Sequence, residues 1–140
     1  MPISCFVANK ELMMELSDHP ILGHISTFGG HPVSSAAALA TLDYITNNDL
    51  MDQVAAKERL FRELLKHPKI KGINGKGLML AVQLESFEEV NRTIERAYNR
   101  GLITDWFLYE NSSLRISPPL IITQDQIREV CNILLEAFND

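Results

Sequence analysis

A glycine-containing loop that leads into a helix is the first feature of this sequence that could do chemistry. The loop contains Thr27, Gly29 and Gly30, and a run rich in Ala and Ser follows Pro32. Proline suits the first position of a helix because its missing N–H costs nothing there, and glycines let the backbone approach another group closely. The free N–H groups and positive dipole end of such a helix favour an anion, and the Thr27 hydroxyl could donate a further hydrogen bond to a phosphate. An ordinary glycine turn before a packed helix is the alternative that this stretch alone leaves open.

Arg115 is the second candidate, because it lies in an apolar segment directly before Ser117, Pro118 and Pro119. A rigid turn after this segment would hold the side chain in place. A planar guanidinium can bind a carboxylate through two parallel hydrogen bonds, which provides both affinity and orientation. The pattern therefore favours a carboxylate-binding arginine, and a structural salt bridge is the alternative.

Spacing indicates neither an activated nucleophile nor a metal site. The segment 72–77 is similar to a phosphate-binding P-loop, but Gly77 stands where that loop needs Ser or Thr for Mg²⁺. A reactive lysine needs desolvation or activating partners, and these lysines lie among polar neighbours: Lys10, Lys57, Lys66, Lys69 and Lys71. No two of the four histidines have the i, i+4 spacing of helical metal ligands: His19, His24, His31 and His67. We therefore predict no metal site and no catalytic triad.

Composition limits the classes of partner. The chain has 140 residues, 46% of them hydrophobic, which is enough for about one domain core. Its 13 basic and 18 acidic residues give a net charge of -5 without a basic cluster, so we expect no nucleic acid partner. No apolar run is long enough to span a membrane and the N-terminus lacks signal-peptide features, so we expect no membrane partner. Cys5 and Cys131 match no metal or redox spacing, which favours reduced thiols and a cytoplasmic location.

The first third of the chain is predicted to contain a strand and two helices. Residues 3–8 form an apolar run typical of a strand that is covered on both faces, and Asn9 could cap a short helix that ends before Asp18. A helix from Pro32 to about Asn47 carries many small residues and is expected to be buried. Because a buried strand at the very start has no preceding element to pair with it, we expect that upstream chain is absent.

The remaining residues alternate between helical and strand patterns. Apolar residues recur at helical spacing from Leu50 to about Lys66, and residues 78–84 alternate as a half-buried strand does. Residues 102–104 lead into a second strand candidate, and residues 114–117 are a third, which two prolines end. The pattern predicts a sheet of about three strands.

Three helix signals complete this second part. Ser86 with Glu89 and Thr123 with Gln126 form capping-box patterns at the starts of two helices, and Gly101 is placed to end the first of them. Helices and strands in this order predict a small α+β unit, with helices covering the sheet. The expected boundary near Asn48 divides the chain into residues 1–48 and 49–140.

Three motifs, in this order along the chain, resemble the C-terminal part of class III pyridoxal-phosphate-dependent aminotransferases, a group that includes acetylornithine, ornithine and 4-aminobutyrate aminotransferases. The motifs are residues 27–32 with the alanine-rich helix after them, residues 75–80 and residues 114–120. The resemblance covers nearly the whole chain. It implies an α+β fold in which residues 1–48 are the C-terminal segment of the large pyridoxal-phosphate-binding domain and residues 49–140 are the small domain.

The resemblance also implies roles for single residues. Thr27 would reach across a dimer interface to the phosphate of pyridoxal phosphate, with Phe28 beside it in the same cofactor-binding motif. Arg115 would bind the carboxylate of a small amino acid or amine substrate. A homodimer is implied as the assembly. His31 stands where asparagine is common in the family, which leaves the interpretation of the backbone unchanged.

The catalytic lysine is a larger departure from the family pattern. Residues 1–4 resemble the segment shortly after the Schiff-base lysine, so that lysine and the residues around the cofactor ring are expected upstream of Met1. The chain as written is then predicted not to transaminate by itself. Two hypotheses stay open: a portion of a transaminase that transfers an amino group from an amino acid or amine donor to a 2-oxo acid, and a noncatalytic α+β dimerisation or interaction module derived from that fold.

Overall fold

The computed structural model describes residues 2–17, 19, 21, 23 and 25–139, and these divide into two units, Met1–Asn48 and Asp49–Asp140. The first unit contains α1 (Lys10–Met14) and α2 (Pro32–Asn47). The second contains, in chain order, α3 (Leu50–Leu64), β1 (Gly72–Lys76), β2 (Met79–Gln83), α4 (Phe87–Asn99), β3 (Asp105–Phe107), β4 (Glu110–Ile116) and α5 (Gln124–Asn139).

The first unit differs from its prediction at two points. Residues 3–8 have no regular secondary structure, so the predicted strand is wrong. A strand needs a neighbour to satisfy its N–H and C=O groups, and the described residues of this unit contain no other strand. The predicted burial of α2 is also wrong, because none of its side chains is buried.

The short helix predicted after Asn9 is confirmed as α1. The Asn9 side chain accepts a hydrogen bond from the Leu12 N–H at 2.9 Å, which satisfies one of the free donors at the helix start. The turn predicted after this helix rests on Asp18 and Pro20, which lie outside the described residues.

The second unit is α+β, with a four-stranded antiparallel sheet in the order β1-β2-β4-β3. The sequence predicts about three strands because β1 contains two glycines in five residues and has weak strand propensity. β1 nevertheless forms, because each of its residues pairs with β2 in a hairpin. β3 begins at Asp105, directly after residues 102–104, which the sequence predicts to lead into a strand.

One face of the sheet carries the core. Leu80 and Val82 of β2 lie opposite Ile116 and Leu114 of β4, and all four side chains are buried. α4 packs on β4 and on α5, and α3 packs on α5. Burial of a large apolar side chain contributes roughly 1.5–3 kcal/mol to stability. Because successive side chains of a strand point to opposite faces, Arg115 projects away from the face that holds its two core neighbours.

The predicted helix caps form, one of them only in part. Thr123 and Gln126 exchange two hydrogen bonds at the start of α5, of 2.9 and 3.2 Å, which is the full capping box. At the start of α4, Ser86 accepts a bond from the Glu89 N–H at 3.3 Å, and the Glu89 carboxylate binds neighbouring cations instead of returning the bond. Gly101 follows α4 with a φ of +85°, as the predicted C-cap requires.

Candidate functional site

The loop before α2 leaves N–H groups free at the start of the helix. Residues 27–30 form a turn in which Gly30 has a φ of +70°, a conformation that glycine adopts without strain. Pro32 is the first residue of α2, as the sequence predicts. His31 occupies the N-cap position, and its side chain makes no capping hydrogen bond. The first turn of α2 therefore keeps the donors and the positive dipole end that favour an anion.

Thr27 and Phe28 lie in the exposed part of this turn. The Thr27 hydroxyl has no hydrogen-bond partner among the described residues, and the Phe28 side chain is 78% exposed. The ring of Phe28 lies 6.3 Å from that of His31, measured between centroids. His31 Nδ1 is enclosed and has no partner in the described part of the chain. A free hydroxyl, an orphan ring nitrogen and unpaired backbone donors together fit a phosphate group.

Arg115 reaches an open cleft of about 790 Å³ in the second unit. Its Nη2 lies 3.4 Å from Oδ2 of Asp105, the residue opposite it on β3. Both side chains are partly exposed, at 39% and 46%, so the pair adds little stability. Within the described residues, Nε and Nη1 of Arg115 have no hydrogen-bond partner. The salt bridge that was the alternative for Arg115 is thus present, and N–H donors remain for a second carboxylate.

Lys57 holds the loop that forms one wall of this cleft. Its Nζ donates a hydrogen bond of 2.6 Å to the Leu120 carbonyl, and the side chain is only 7% exposed. The prediction of polar, surface-like surroundings for Lys57 is wrong. Helical spacing indicates this burial in the sequence. Lys57 lies three residues after Val54 and four before Phe61, which places it on the apolar face of α3.

The motif at residues 75–80 forms the turn between β1 and β2. Gly75 and Gly77 have φ values of +105° and +62°. Arg62 of α3 donates to the Gly75 carbonyl at 2.9 Å, and Glu58 accepts the Gly77 N–H at 2.6 Å. That N–H and the hydrogen bond from the Arg62 side chain hold the pKa of Glu58 below its usual 4.5. The Gly77 N–H donates to a carboxylate of this chain, whereas a phosphate-binding loop keeps its N–H groups free for the phosphate.

The other candidates contribute no site in the described residues. No three His, Cys, Asp or Glu side chains of the described chain lie close enough to hold a metal ion, and His24 is outside it. Burial raises the pKa of the Cys131 thiol to about 12, so it is a poor nucleophile. No helix among residues 2–17 and 25–139 is both long and apolar enough to cross a membrane.

Comparison with known proteins gives one consistent result. The family described as aminotransferase class-III matches residues 1–138. The acetylornithine aminotransferase of Caldanaerobacter subterraneus subsp. tengcongensis is 34% identical over an alignment of 122 residues, which covers 84% of this chain and 30% of that protein. The leucine/methionine racemase of Thermococcus litoralis is 34% identical over an alignment of 153 positions, gaps included, which covers 100% of this chain and 33% of the racemase.

A solved structure agrees with these relatives. The ornithine aminotransferase of Toxoplasma gondii, with partial occupancy of PLP at its active site, superposes with a TM-score of 0.79 at 28% identity. The superposition covers 92% of this chain and 31% of that one, so the chain spans about a third of the length of its relatives. A family match over residues 1–138 settles the classification. The chain belongs to the class III aminotransferases, the pyridoxal-phosphate-dependent family that its three motifs resemble.

Proposed function

We propose that this chain supplies the phosphate-binding loop and the carboxylate-binding arginine of a pyridoxal-phosphate-dependent transaminase. The complete enzyme transfers an amino group between an amino acid or amine donor and a 2-oxo acid. When bound, pyridoxal phosphate supplies the electron sink for this transfer. The residues of this chain bind and orient the reacting molecules, which lowers the entropic part of the barrier.

The loop before α2 takes the phosphate in this proposal. The Thr27 hydroxyl donates one hydrogen bond, and the free N–H groups in the first turn of α2 donate others. His31 Nδ1, which is enclosed without a partner in the described residues, is available to a phosphate oxygen as well. Phe28, beside Thr27 in the same turn, belongs to this cofactor-binding loop.

Arg115 carries the proposal, because its free donors face an open cleft. A carboxylate can take two parallel hydrogen bonds from the guanidinium edge that Asp105 leaves open. Such binding orients the substrate and also raises its affinity. The Lys57 contact to the loop after Arg115 supports this role, since it fixes the wall of the cleft.

The proposal places the lysine that binds the cofactor covalently outside this chain. A reactive amine must be desolvated and still accessible to the cofactor. Lys69 and Lys71 form ion pairs of 2.7 and 2.5 Å with glutamates and remain partly exposed. Lys57 is desolvated, but its ammonium is enclosed and bound to the Leu120 carbonyl.

A homodimer in the cytoplasm belongs to the same proposal. In the first unit, no described side chain is buried, and large apolar residues such as Phe6 and Val7 are 69% and 87% exposed. Such residues need cover from further protein, and a second subunit is one source of it. Sedimentation velocity of the enzyme tests this part, because a monomer at micromolar concentration would contradict it.

A noncatalytic interaction module is the second candidate. The observation that favours it is that the second unit has its own apolar core and contains every buried residue of the described chain. A domain with its own core can persist without an active site. The two candidates differ in what Arg115 does, because a module does not need its free donors.

The test is the replacement of Arg115 in the holoenzyme by leucine. Loss of two charge-assisted hydrogen bonds is expected to reduce kcat/KM for a donor with a carboxylate about 100-fold, mainly through KM. The rate with a simple primary amine such as pentylamine is expected to stay within about twofold, since that donor has no carboxylate to lose.

Arg128→Leu is the matched control, because Arg128 is an exposed arginine of α5 that does not line the cleft. Its kinetics are expected to equal those of the unmodified enzyme. An equal loss with both donors in Arg115→Leu would contradict carboxylate binding by Arg115. Unchanged kinetics with both donors would contradict it as well.

A further inference from the structure

Lys57 is a buried cation that takes no direct part in the proposed chemistry. Its side chain is 7% exposed, and its Nζ donates a hydrogen bond of 2.6 Å to the Leu120 carbonyl. An ammonium has three donors, and no carboxylate of the described residues forms an ion pair with this one. Within the described chain, a single neutral acceptor holds the cation.

Stability does not explain a lysine at this position. Val54 and Phe61, one turn before and one turn after it on the same face of α3, are apolar. Taking an ammonium out of water costs free energy, and a well-packed apolar side chain can replace such a cation without loss of stability. Methionine has nearly the same length and helix propensity as lysine. The role of Lys57 therefore lies in what its hydrogen bond holds.

The bond holds the loop of residues 117–122, which joins β4 to α5. Inside the loop, the Ile122 N–H donates to the Pro119 carbonyl at 3.0 Å, and Leu120 is the second residue of the turn that this bond closes. In the described chain, the bond from Lys57 is the one hydrogen bond that joins this loop to another element. Lys57 therefore anchors the loop to α3.

This loop forms the wall of the cleft beside Arg115. Its lining residues are Ser117, Pro118, Pro119, Ile121 and Ile122. The Arg115 backbone is held separately, because the Thr104 hydroxyl donates to the Arg115 carbonyl at 2.7 Å. The two prolines between Arg115 and Leu120 have fixed φ angles, so they transmit a displacement of the turn and do not absorb it. The position of the wall next to the guanidinium therefore depends on Lys57.

We propose that Lys57 is a positioning residue for the carboxylate-binding site of Arg115. Its bond to the Leu120 carbonyl holds the loop where a carboxylate can meet the guanidinium edge. Two parallel hydrogen bonds need a defined direction as well as a defined distance, so a displaced wall weakens them. The inference rests on the proposed function, because it takes Arg115 as the carboxylate-binding group.

Lys57→Met in the holoenzyme tests this inference, because it removes the hydrogen bond and keeps the length of the side chain. The KM for a donor with a carboxylate is expected to rise about tenfold, with kcat within about twofold, since binding is weakened and the reacting end is not changed. The KM for pentylamine is expected to stay within about twofold, because that donor has no carboxylate. An equal rise with both donors would show that Lys57 only supports the fold, and would overturn its positioning role.

Lys66→Met is the matched control, because it makes the same change at an exposed position that does not line the cleft. Its kinetics with both donors are expected to equal those of the unmodified enzyme. Urea unfolding of the chain completes the comparison. The midpoint of Lys57→Met is expected to be no lower than that of the unmodified chain, because the buried cation is gone. A lower midpoint would mean that stability does explain the lysine, and would overturn the inference.

The double variant Lys57→Met, Arg115→Leu shows whether Lys57 acts through Arg115. In the Arg115→Leu background, Lys57→Met is expected to change KM less than about twofold, because no carboxylate site is left to position. A further tenfold rise there, or an unchanged KM in the single variant Lys57→Met, would overturn the role of Lys57 and leave that of Arg115 intact. If Arg115→Leu alone leaves the kinetics unchanged, the proposed function is wrong.

Discussion

At the scale of single residues, Glu58 and Arg62 join α3 to the β1–β2 hairpin. Arg62 Nε lies 2.9 Å from Glu58 Oε1, and Arg62 also donates to the carbonyl groups of Ile73 and Gly75. Glu58 in turn accepts the Gly77 N–H. The carboxylate must be ionised to hold both donors well, so this junction depends on pH.

Glu58→Gln is expected to lower the free energy of unfolding at pH 7. The folded pKa of Glu58 is below its ordinary 4.5, so the stabilisation is fully present above that value and is lost as the pH falls through the folded pKa. The difference between the variant and the unmodified chain should therefore shrink in acid. Urea unfolding at pH 7 and in the acid range measures it.

Glu63→Gln provides the control for this experiment, because Glu63 is an exposed residue of the same helix. Its effect on unfolding is expected to be small at every pH. A Glu58→Gln difference that stays constant or grows toward acid would show that the charge of Glu58 does not stabilise the junction.

The sequence identifies Thr27 and Arg115 as candidate residues but does not identify their partners. Asp105 is ten residues from Arg115, and only the antiparallel register of β3 and β4 brings the two together. A sequence pattern fixes strand register poorly when one strand has three residues and an irregular pairing. Lys57 is a different case, because its neighbours in sequence are polar whereas its face of α3 is apolar and buried.

At the scale of elements, strong local signals predicted structure well and weak ones did not. α4 and α5 begin at their predicted caps, and β2 alternates between buried and partly exposed residues as predicted. β1 has no such signal in its own sequence. It is stabilised by residues elsewhere in the chain, through its pairing with β2 and its contacts to α3. Residues 3–8 show the reverse case, in which an apolar run forms no strand because no strand pairs with it in the described residues.

The glycine at the end of the β1 hairpin gives a prediction at this scale. Gly75 has a φ of +105°, and a Cβ there would lie 2.1 Å from the Met79 carbonyl oxygen, which belongs to the backbone. Gly75→Ala is therefore expected to cost about 3 kcal/mol of unfolding free energy, through strain and displacement of β2. Chemical denaturation measures the loss.

Gly72→Ala tests the same substitution in the same strand without the clash. The nearest atom to its added Cβ is a side-chain oxygen of Gln83 at 4.0 Å. Its unfolding free energy is expected to change by less than about 0.5 kcal/mol. Similar losses in both variants would mean that the hairpin conformation does not require glycine at position 75.

At the scale of the whole molecule, the two units differ in what stabilises them. The second unit buries a continuous apolar cluster that joins three helices to the sheet. The first unit has no buried side chain in its described residues, and α2 exposes Val33, Leu39 and Leu42 by more than half. Composition alone could not reveal this difference, because both parts are rich in apolar residues.

For the complete enzyme we propose that this chain binds two anionic groups, the cofactor phosphate and the substrate carboxylate, and that another part of the protein provides the covalent lysine. The crystal structure of the holoenzyme with cofactor and a carboxylate ligand is the most direct measurement. We predict the Thr27 hydroxyl at about 3 Å from a phosphate oxygen, Arg115 on the ligand carboxylate, and the cofactor bonded to a lysine outside residues 1–140. A cofactor bonded to one of the lysines of this chain, or a phosphate held away from Thr27, would contradict it.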